Sequence, residues 1–199
     1  GADGGYVAID GHTDVTTTAI AVINAKAGDG GSADAIDITA VTGRVSLAGT
    51  ISAAAAGSLD LGGGSGGDVS VDAIGPVTVD AAIDASGAGP GAFGGSIDIA
   101  SSGDVLVRGD TDVSAIGTGG AAGFASVDSS TGQVALLGRV TAIGPGTGGD
   151  ISAFSFNNVT VANRLTADGP SARIGLKGCG VTVAAAARLS SAGTGGQNV

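Results

Sequence analysis

Short runs of alternating apolar and polar residues recur along the chain, and three clear examples lie between Gly67 and Gly94. In each run, two apolar side chains flank one polar residue, as in Val69-Ser70-Val71. This period of two is typical of strands with one buried and one solvated face. Gly75-Pro76 separates the first run from the second. The stretch therefore predicts three short strands that form one turn of a parallel β-helix.

The same unit recurs along the whole chain, with first strands that begin near residues 7, 36, 69, 97, 125, 151 and 174. The successive spacings are 29, 33, 28, 28, 26 and 23 residues, so the repeat is imperfect and shortens toward the C-terminus. Repeats of this length indicate a solenoid. We predict that residues 1–199 form a single all-β domain, a three-faced parallel β-helix (β-solenoid) of about seven coils.

Each coil should direct one apolar pair inward from each face. The first-face pairs are Val7/Ile9, Ile36/Ile38, Val69/Val71, Ile97/Ile99, Ala125/Val127, Ile151/Ala153 and Ile174/Leu176. The second-face pairs are Val15/Thr17, Val45/Leu47, Val77/Val79, Val105/Val107, Val134/Leu136, Val159/Val161 and Val181/Val183. The third-face pairs are Ile23/Ala25, Ile51/Ala53, Ile83/Ala85, Val113/Ala115, Val140/Ala142, Leu165/Ala167 and Leu189/Ser191.

The corners between strands are predicted from glycine. Two residues before the second strand stand Gly43, Gly75, Gly103 and Gly132, then Asn157, with Thr13 and Cys179 in the first and last coils. Because Gly and Asn tolerate a left-handed backbone, we expect a recurring left-handed bend at this column. The third connection is longer and rich in glycine, and it should absorb the variation in coil length.

Composition narrows the class of protein. The chain has 40 Gly residues, its acidic residues are all Asp, and its formal net charge is −10. Nucleic-acid binding is disfavoured because it needs clustered Lys and Arg. No apolar run is long enough for a membrane helix. The single cysteine, Cys179, cannot form an intramolecular disulfide, and both a turn residue and a reactive thiol remain open for it.

Two glycine motifs resemble catalytic or cofactor sites. Gly63-Gly64-Ser65-Gly66-Gly67 matches the nucleophile elbow G-x-S-x-G, whose base could only be His12. That elbow needs a strand before it and a helix after it. Gly144, Gly146 and Gly149 match G-x-G-x-x-G, but a strand is predicted where a dinucleotide site needs a helix. We therefore predict no catalytic residues, no cofactor site and no enzymatic activity.

Metal binding is predicted only in a weak form. Residues 63–71 resemble a calcium-binding nonapeptide, but Ser70 occupies the position of its bulky apolar residue and no tandem copy follows. Calcium held by scattered surface Asp remains open, with no cage that can be named. Outward Asp37, Asp84 and Asp98 could belong to a polysaccharide-cleaving groove, although the chain has no Trp to stack on sugars.

Three surface features have open interpretations. Phe154 and Phe156 either pack under a loop or form a contact surface. Arg139, Arg164 and Arg188 should stack in a column, with Asp112 next in line, as a solvated ladder or as an anion or partner site. Outward hydroxyl residues on the second face raise the question of ice binding, although Leu106 and Ala135 interrupt their column. They are Ser46, Thr78, Thr160 and Thr182.

The two ends of the repeat should remain open. Val199 follows Gly-Gly as the start of an eighth coil, and a strand begins almost at once at Tyr6-Val7. Neither end is predicted to carry a helix or a charged cap. Open strand edges favour further pairing. We expect either a fragment of a longer solenoid or copies that stack end to end, with residues 197–199 of one copy meeting residues 4–9 of the next.

The repeat style of residues 94–107, Gly-Gly-Ser-Ile-Asp-Ile-Ala-Ser-Ser-Gly-Asp-Val-Leu-Val, resembles bacterial secreted β-strand-repeat proteins. These include filamentous-haemagglutinin-like exoproteins and autotransporter passengers. The resemblance covers nearly the whole chain and implies a right-handed parallel β-helix with an extracellular or cell-surface location.

We expect a structural, self-assembling subunit or shaft of a filament, with a head-to-tail homopolymer as its main partner. The alternative is an adhesin or ligand-binding passenger fragment that contacts cell-surface or matrix components. A polysaccharide-active enzyme is a remote third hypothesis.

Overall fold

The computed structural model describes residues 2–57 and 62–193, together with the backbone of residues 197–198. This part of the chain contains strands, turns and no helix. Three main parallel sheets stack as a β-solenoid. The first sheet contains β1 (Val7–Gly11), β4 (Ile36–Ala40), β7 (Asp68–Ala73), β11 (Ser96–Ser101), β15 (Phe124–Ser129), β18 (Asp150–Ser155), β21 (Arg173–Lys177) and β24 (Gln197–Asn198).

The other two main sheets each take one strand from every coil. The second sheet contains β2 (Val15–Thr16), β5 (Val45–Leu47), β8 (Val77–Val79), β12 (Val105–Val107), β16 (Val134–Leu136), β19 (Asn158–Val161) and β22 (Gly180–Val183). The third contains β3 (Val22–Asn24), β6 (Thr50–Ser52), β9 (Ala82–Asp84), β13 (Thr111–Asp112), β17 (Val140–Ile143), β20 (Arg164–Asp168) and β23 (Arg188–Ala192). In the described residues, the predicted three-faced solenoid is confirmed, with seven coils.

The core is a narrow column of small apolar side chains. Ile36 and Ile38 are fully buried, whereas Asp37 between them is partly exposed, and most internal strands repeat this alternation. Each coil buries little by itself, so the stack is stabilised where Ile, Val and Ala of one coil pack on those of the next. At about 4.8 Å per coil, seven coils give a rod of roughly 30 Å.

The predicted register is confirmed throughout the first and second sheets and at six coils of the third. It is wrong by two residues at the fourth coil, where Thr111 pairs with Ile83 and Val140. Thr111 is 4% exposed and occupies a position that is apolar in the other coils. Because Thr111 is polar, it does not continue the apolar pattern, and the next apolar residue, Val113, was predicted as the first inward residue of the strand.

Ala115, predicted as the second residue of that third-face pair, instead lies in the third connection. It belongs to a small fourth sheet in which β10 (Gly87–Ala88) pairs with β14 (Ala115–Ile116). Ala115 is nevertheless 1% exposed. Isolated bridges such as Phe93 to Ala121 continue the stacking along this connection. The glycine-rich connections are therefore partly organised as a short additional ribbon.

The glycine column at the first corner is confirmed in position, but the predicted reason for it is wrong. None of its glycines has a positive φ angle. A Cβ at Gly43 would lie 2.1 Å from Thr13 O, and one at Gly132 would lie 2.4 Å from the Gly103 carbonyl carbon. Glycine is needed because the backbones of neighbouring coils approach too closely for a side chain.

A buried serine ladder supports this corner, and the apolar pattern did not reveal it. The Ser129 hydroxyl donates to Gly103 O (2.7 Å) and accepts the Gly132 N–H (2.8 Å). Ser101 and Ser155 make the same two kinds of bond in their own coils. Each hydroxyl thus joins two coils and satisfies backbone groups that the bend leaves without a strand partner. The sequence signal was a serine two or three residues before the corner Gly or Asn.

Candidate functional site

The C-terminal coil exposes side chains that are buried in every internal coil. Val181 and Val183 of β22 are 45% and 43% exposed, whereas Val159 and Val161, their partners in the preceding coil, are completely buried. The difference arises because no described strand packs on the far side of β22. Within the described residues, the last coil therefore exposes positions that belong to the core in the other coils.

The N-terminal coil presents a second cross-section. Val7 and Ile9 are half-buried, whereas Ile36 and Ile38, their partners in the next coil, are fully buried. The backbones of β1, β2 and β3 each pair on one side only within the described chain. Both ends therefore expose the same three columns of strands. β24 adds the start of another first-sheet strand on β21, while the predicted role of Val199 lies outside the described residues.

A lateral groove of about 570 Å³ follows the first corner from the second coil to the sixth. It is lined by residues 39–41, 72–74, 100–102 and 128–130, and by Phe154. The corner positions of these coils are Ala40, Ala73, Ser101 and Ser129, all with short side chains. Ile74 contributes an exposed apolar side chain, and Asp72 and Asp128 contribute carboxylates.

Phe154 and Phe156 do not pack under a loop. Their ring centroids are 5.0 Å apart in an edge-to-face arrangement, and Phe156 is 62% exposed. Lys177 Nζ lies 5.6 Å from the Phe154 ring centroid, within the range of a cation–π interaction. The pair forms an exposed aromatic edge at one end of the groove.

Asp37, Asp84 and Asp98 point outward as predicted, but the structure distributes them over two faces. Asp37 and Asp98 lie on the first sheet, two coils apart, and Asp84 lies on the third sheet. The Asp37 carboxylate accepts a hydrogen bond from the Tyr6 hydroxyl (2.6 Å), which raises the pKa of Tyr6. Burial, with the nearby carboxylates of Asp128, Asp68 and Asp72, raises the pKa of Asp98. The three predicted residues therefore do not converge on one site.

The column of Arg139, Arg164 and Arg188 is present, since the registers of β17, β20 and β23 align the three residues. The next member is Asp110, and the prediction of Asp112 was wrong because of the two-residue shift at the fourth coil. Arg139 Nη2 lies 2.7 Å from Asp110 Oδ2. This ion pair and a backbone hydrogen bond from Arg139 lower the pKa of Asp110.

The catalytic motifs are not assembled into a site. Ser65 lies just before β7, whereas His12 lies just after β1, so the first sheet separates them along the strand direction. The strand β7 follows Ser65 where a nucleophile elbow has a helix, and β18 follows Gly149 in the same way. In residues 2–57 and 62–193, no group of three or more His, Cys and Asp is placed to hold a metal ion.

The remaining predicted positions lie at the surface. Cys179 is exposed and its thiol lies 2.8 Å from the Phe156 carbonyl oxygen, at the corner column as predicted. The hydroxyl column of the second sheet is aligned and interrupted by Leu106 and Ala135. The described chain contains no helix that could span a membrane.

Comparison of this chain with protein-family models, with curated proteins and with solved structures gives no match.

Proposed function

We propose that this protein is a structural, self-assembling solenoid whose copies stack end to end as the subunit or shaft of an extracellular or cell-surface filament. The observation that supports this proposal is that the first and last described coils expose core positions that the internal coils bury. Among the described residues, the outermost strand of each main sheet pairs on one side only, and its apolar side chains are only partly buried in β1 and β22. A second copy placed in register would meet these groups as one internal coil meets the next.

The energetics favour association through the ends. Complete burial of an exposed Val, Leu or Ile side chain contributes about 1.5–3 kcal/mol. Val181 and Val183 are already more than half buried, at 45% and 43% exposure. Each would therefore gain only part of that amount, and the edge strands would add backbone hydrogen bonds. The loss of translational and rotational freedom on association offsets much of this free energy. We therefore expect assembly that depends on protein concentration.

The alternative proposal is an adhesin or ligand-binding segment that uses the lateral groove. The groove supports it because an exposed apolar side chain, two carboxylates and an aromatic edge line one continuous depression. Cell-surface or matrix components would then be the partners. The third hypothesis is an enzyme acting on acidic polysaccharide, although the predicted carboxylates Asp37, Asp84 and Asp98 do not converge on one site.

A matched pair of variants in β22 tests end-to-end stacking. Val183 and Thr182 are adjacent and exposed, but Val183 continues a core column and Thr182 faces outward. We expect the unaltered protein to form rods in electron micrographs and larger species with rising concentration in sedimentation velocity. Val183→Lys should abolish both, because it places a charge in the stacking surface, whereas Thr182→Lys should leave both intact.

The control for folding is the far-UV circular dichroism of both variants, which should match that of the unaltered protein. A protein that stays monomeric at every accessible concentration would overturn the proposal. Equal loss of assembly in the two lysine variants would also contradict it, since that result would make net charge rather than the core column responsible.

A further inference from the structure

The lateral groove at the first corner carries negative charge on internal coils of the solenoid. Asp72 lines it in the third coil and Asp128 lines it in the fifth. Each carboxylate accepts a hydrogen bond from a serine hydroxyl on its own strand, Ser70 and Ser126 respectively. The ion pairs within the described residues involve other aspartates. The groove therefore presents two carboxylates whose charge no described cation neutralises.

Asp98 reports the negative field beside the groove. Its strand, β11, lies between the strands that carry the two groove aspartates. Burial raises the pKa of Asp98, and so do the nearby carboxylates of Asp128, Asp68 and Asp72. Repulsion among these groups is the reason that a positive group bound at the groove would be stabilised.

The separation of the two groove carboxylates decides what kind of cation fits. The registers place Ala100 between Asp72 and Asp128 in one column, so the two aspartates are two coils apart. At about 4.8 Å per coil, this is roughly 10 Å along the rod axis. A single metal ion needs oxygen ligands at about 2.3–2.6 Å, so these two carboxylates do not share one. An elongated ligand with two positive groups roughly 10 Å apart fits them.

The polyproline II conformation has this spacing. It has three residues per turn and a rise of about 3.1 Å, so every third side chain lies on the same face, about 9.3 Å from the last. Side chains on one face of a β-strand are about 6.6 or 13 Å apart, which matches less well. A polyproline II segment of about six residues would run along the groove over its four coil steps, since both lengths are about 19 Å.

The remaining lining of the groove suits proline. Ala73 is a short corner residue, and Ile74 beside it is 60% exposed. Phe154 lines the end of the groove in the sixth coil, next to the exposed Phe156. Polyproline II segments dock in grooves that are lined by aromatic side chains. Lys177 lies near Phe154, so this end favours uncharged residues and the basic ones belong at the two groove aspartates.

We propose that the groove binds a proline-rich basic peptide segment in the polyproline II conformation, with Arg or Lys at every third position facing Asp72 and Asp128. This inference rests on the alternative proposal that the groove is a ligand-binding surface, and it names the class of partner. Arg suits these positions because its planar guanidinium pairs with a carboxylate through two hydrogen bonds. Proline lowers the entropy lost when the peptide is ordered.

The test is fluorescence anisotropy at low ionic strength with a labelled synthetic peptide of three Pro-Pro-Arg repeats. Asp72→Asn and Asp128→Asn should each weaken binding about two- to fivefold, because each removes one exposed ion pair. The two effects should multiply in the double variant, since the sites are roughly 10 Å apart. Asp84→Asn is the matched control, because it makes the same charge change in the third coil but on the third sheet. It should leave the affinity unchanged, and all variants should keep the far-UV circular dichroism of the unaltered protein.

Variants of the peptide test its spacing and conformation. A peptide of the same composition with its Arg residues adjacent should bind about two- to fivefold more weakly, because its cations cannot reach both aspartates. A peptide of three Gly-Gly-Arg repeats keeps the spacing but is not preformed, so it should also bind more weakly. High salt should weaken binding of the Pro-Pro-Arg peptide, because it screens exposed charges.

The outcomes separate this inference from the proposals on which it builds. Equal affinity for the spaced and the adjacent Arg peptides, with a loss in Asp72→Asn, would overturn the polyproline II inference and leave the groove as a ligand-binding surface. An equal loss in Asp84→Asn would make net charge responsible and overturn it as well. Binding of no peptide, or binding that is unchanged in the double variant, would overturn it together with the peptide as a ligand of the groove.

Sedimentation velocity without peptide tests end-to-end stacking separately. The groove variants and Asp84→Asn should all assemble as the unaltered protein does, because the groove lies on the side of the rod. Assembly that only the groove variants reduce would identify a second copy of this chain as the occupant of the groove and overturn the inference.

Discussion

Replacing Ser129 with alanine should destabilise the solenoid, although the change removes only one oxygen atom. Ser129 is completely buried at the first corner of the fifth coil. Its hydroxyl donates to the Gly103 carbonyl oxygen of the preceding coil and accepts the N–H of Gly132. Ser129→Ala leaves the Gly103 carbonyl and the Gly132 N–H without these hydrogen bonds. The position is completely buried, so solvent water does not replace them.

The expected cost follows from the unpaired groups. A buried donor or acceptor that loses its partner costs about 1–3 kcal/mol. Steric strain adds nothing, because Ala40 and Ala73 already occupy the same column in the second and third coils. For a chain of 199 residues, about 2–4 °C of Tm is lost per kcal/mol. The melting temperature should therefore fall by roughly 2–12 °C.

The assay is thermal unfolding followed by circular dichroism at one protein concentration, with urea unfolding as a second measure. Ser152→Ala is the control, because Ser152 is exposed on the outward face of the neighbouring β18 and makes only a 3.1 Å contact with the Ser126 hydroxyl. It should change the free energy of unfolding by less than about 0.5 kcal/mol. Equal melting temperatures for Ser129→Ala and the unaltered protein would refute the role of the serine ladder.

Two further substitutions test the electrostatics and the backbone packing. Asp98→Asn should raise the free energy of unfolding near neutral pH, because the fold raises the pKa of Asp98 and so disfavours its charged carboxylate. This gain in stability should disappear as the pH falls below about 4, the pKa of Asp in the unfolded chain. A gain that persists below that pH would contradict the reasoning. In urea titrations, Gly132→Ala should lower the free energy of unfolding by more than about 1 kcal/mol, because its Cβ would lie 2.4 Å from the Gly103 carbonyl carbon. The control is Gly175→Ala, which has open space around its Cβ and should be neutral or slightly stabilising.

The fold was largely predictable because its signals are local and repeated. Alternation at Val69-Ser70-Val71 determines which side chains face inward, and a shift of one residue would reverse every one of them. Repetition of that pattern in each coil then aligned the first and second sheets correctly. The exception at Thr111 shows the limit, since a polar residue in a core column removes the signal. In the internal coils, the third strand's first inward residue follows the second strand's last one by four positions, as from Val79 to Ile83, and this step identifies Thr111 as inward.

The candidate site was less predictable because it depends on residues of different coils. From the sequence, both ends of the repeat were expected to stay open, but the exposure of Val181 and Val183 is visible only in the folded stack. The groove is lined by residues of five coils that lie side by side. Residues more than 25 positions apart become direct neighbours there, and no pattern within one repeat specifies what they form.

By itself, the sequence determined the strands, their inward faces and the order in which coils stack, because a period of two and a repeated unit are written locally in the chain. Only the tertiary structure decided why glycine is required at Gly132, which hydroxyls support the corner, and that Arg139 pairs with Asp110. The physical reason is distance along the chain: a Cβ clash, a hydrogen bond between coils or an aligned pair of charges depends on a partner in another coil, and folding alone brings that partner within reach.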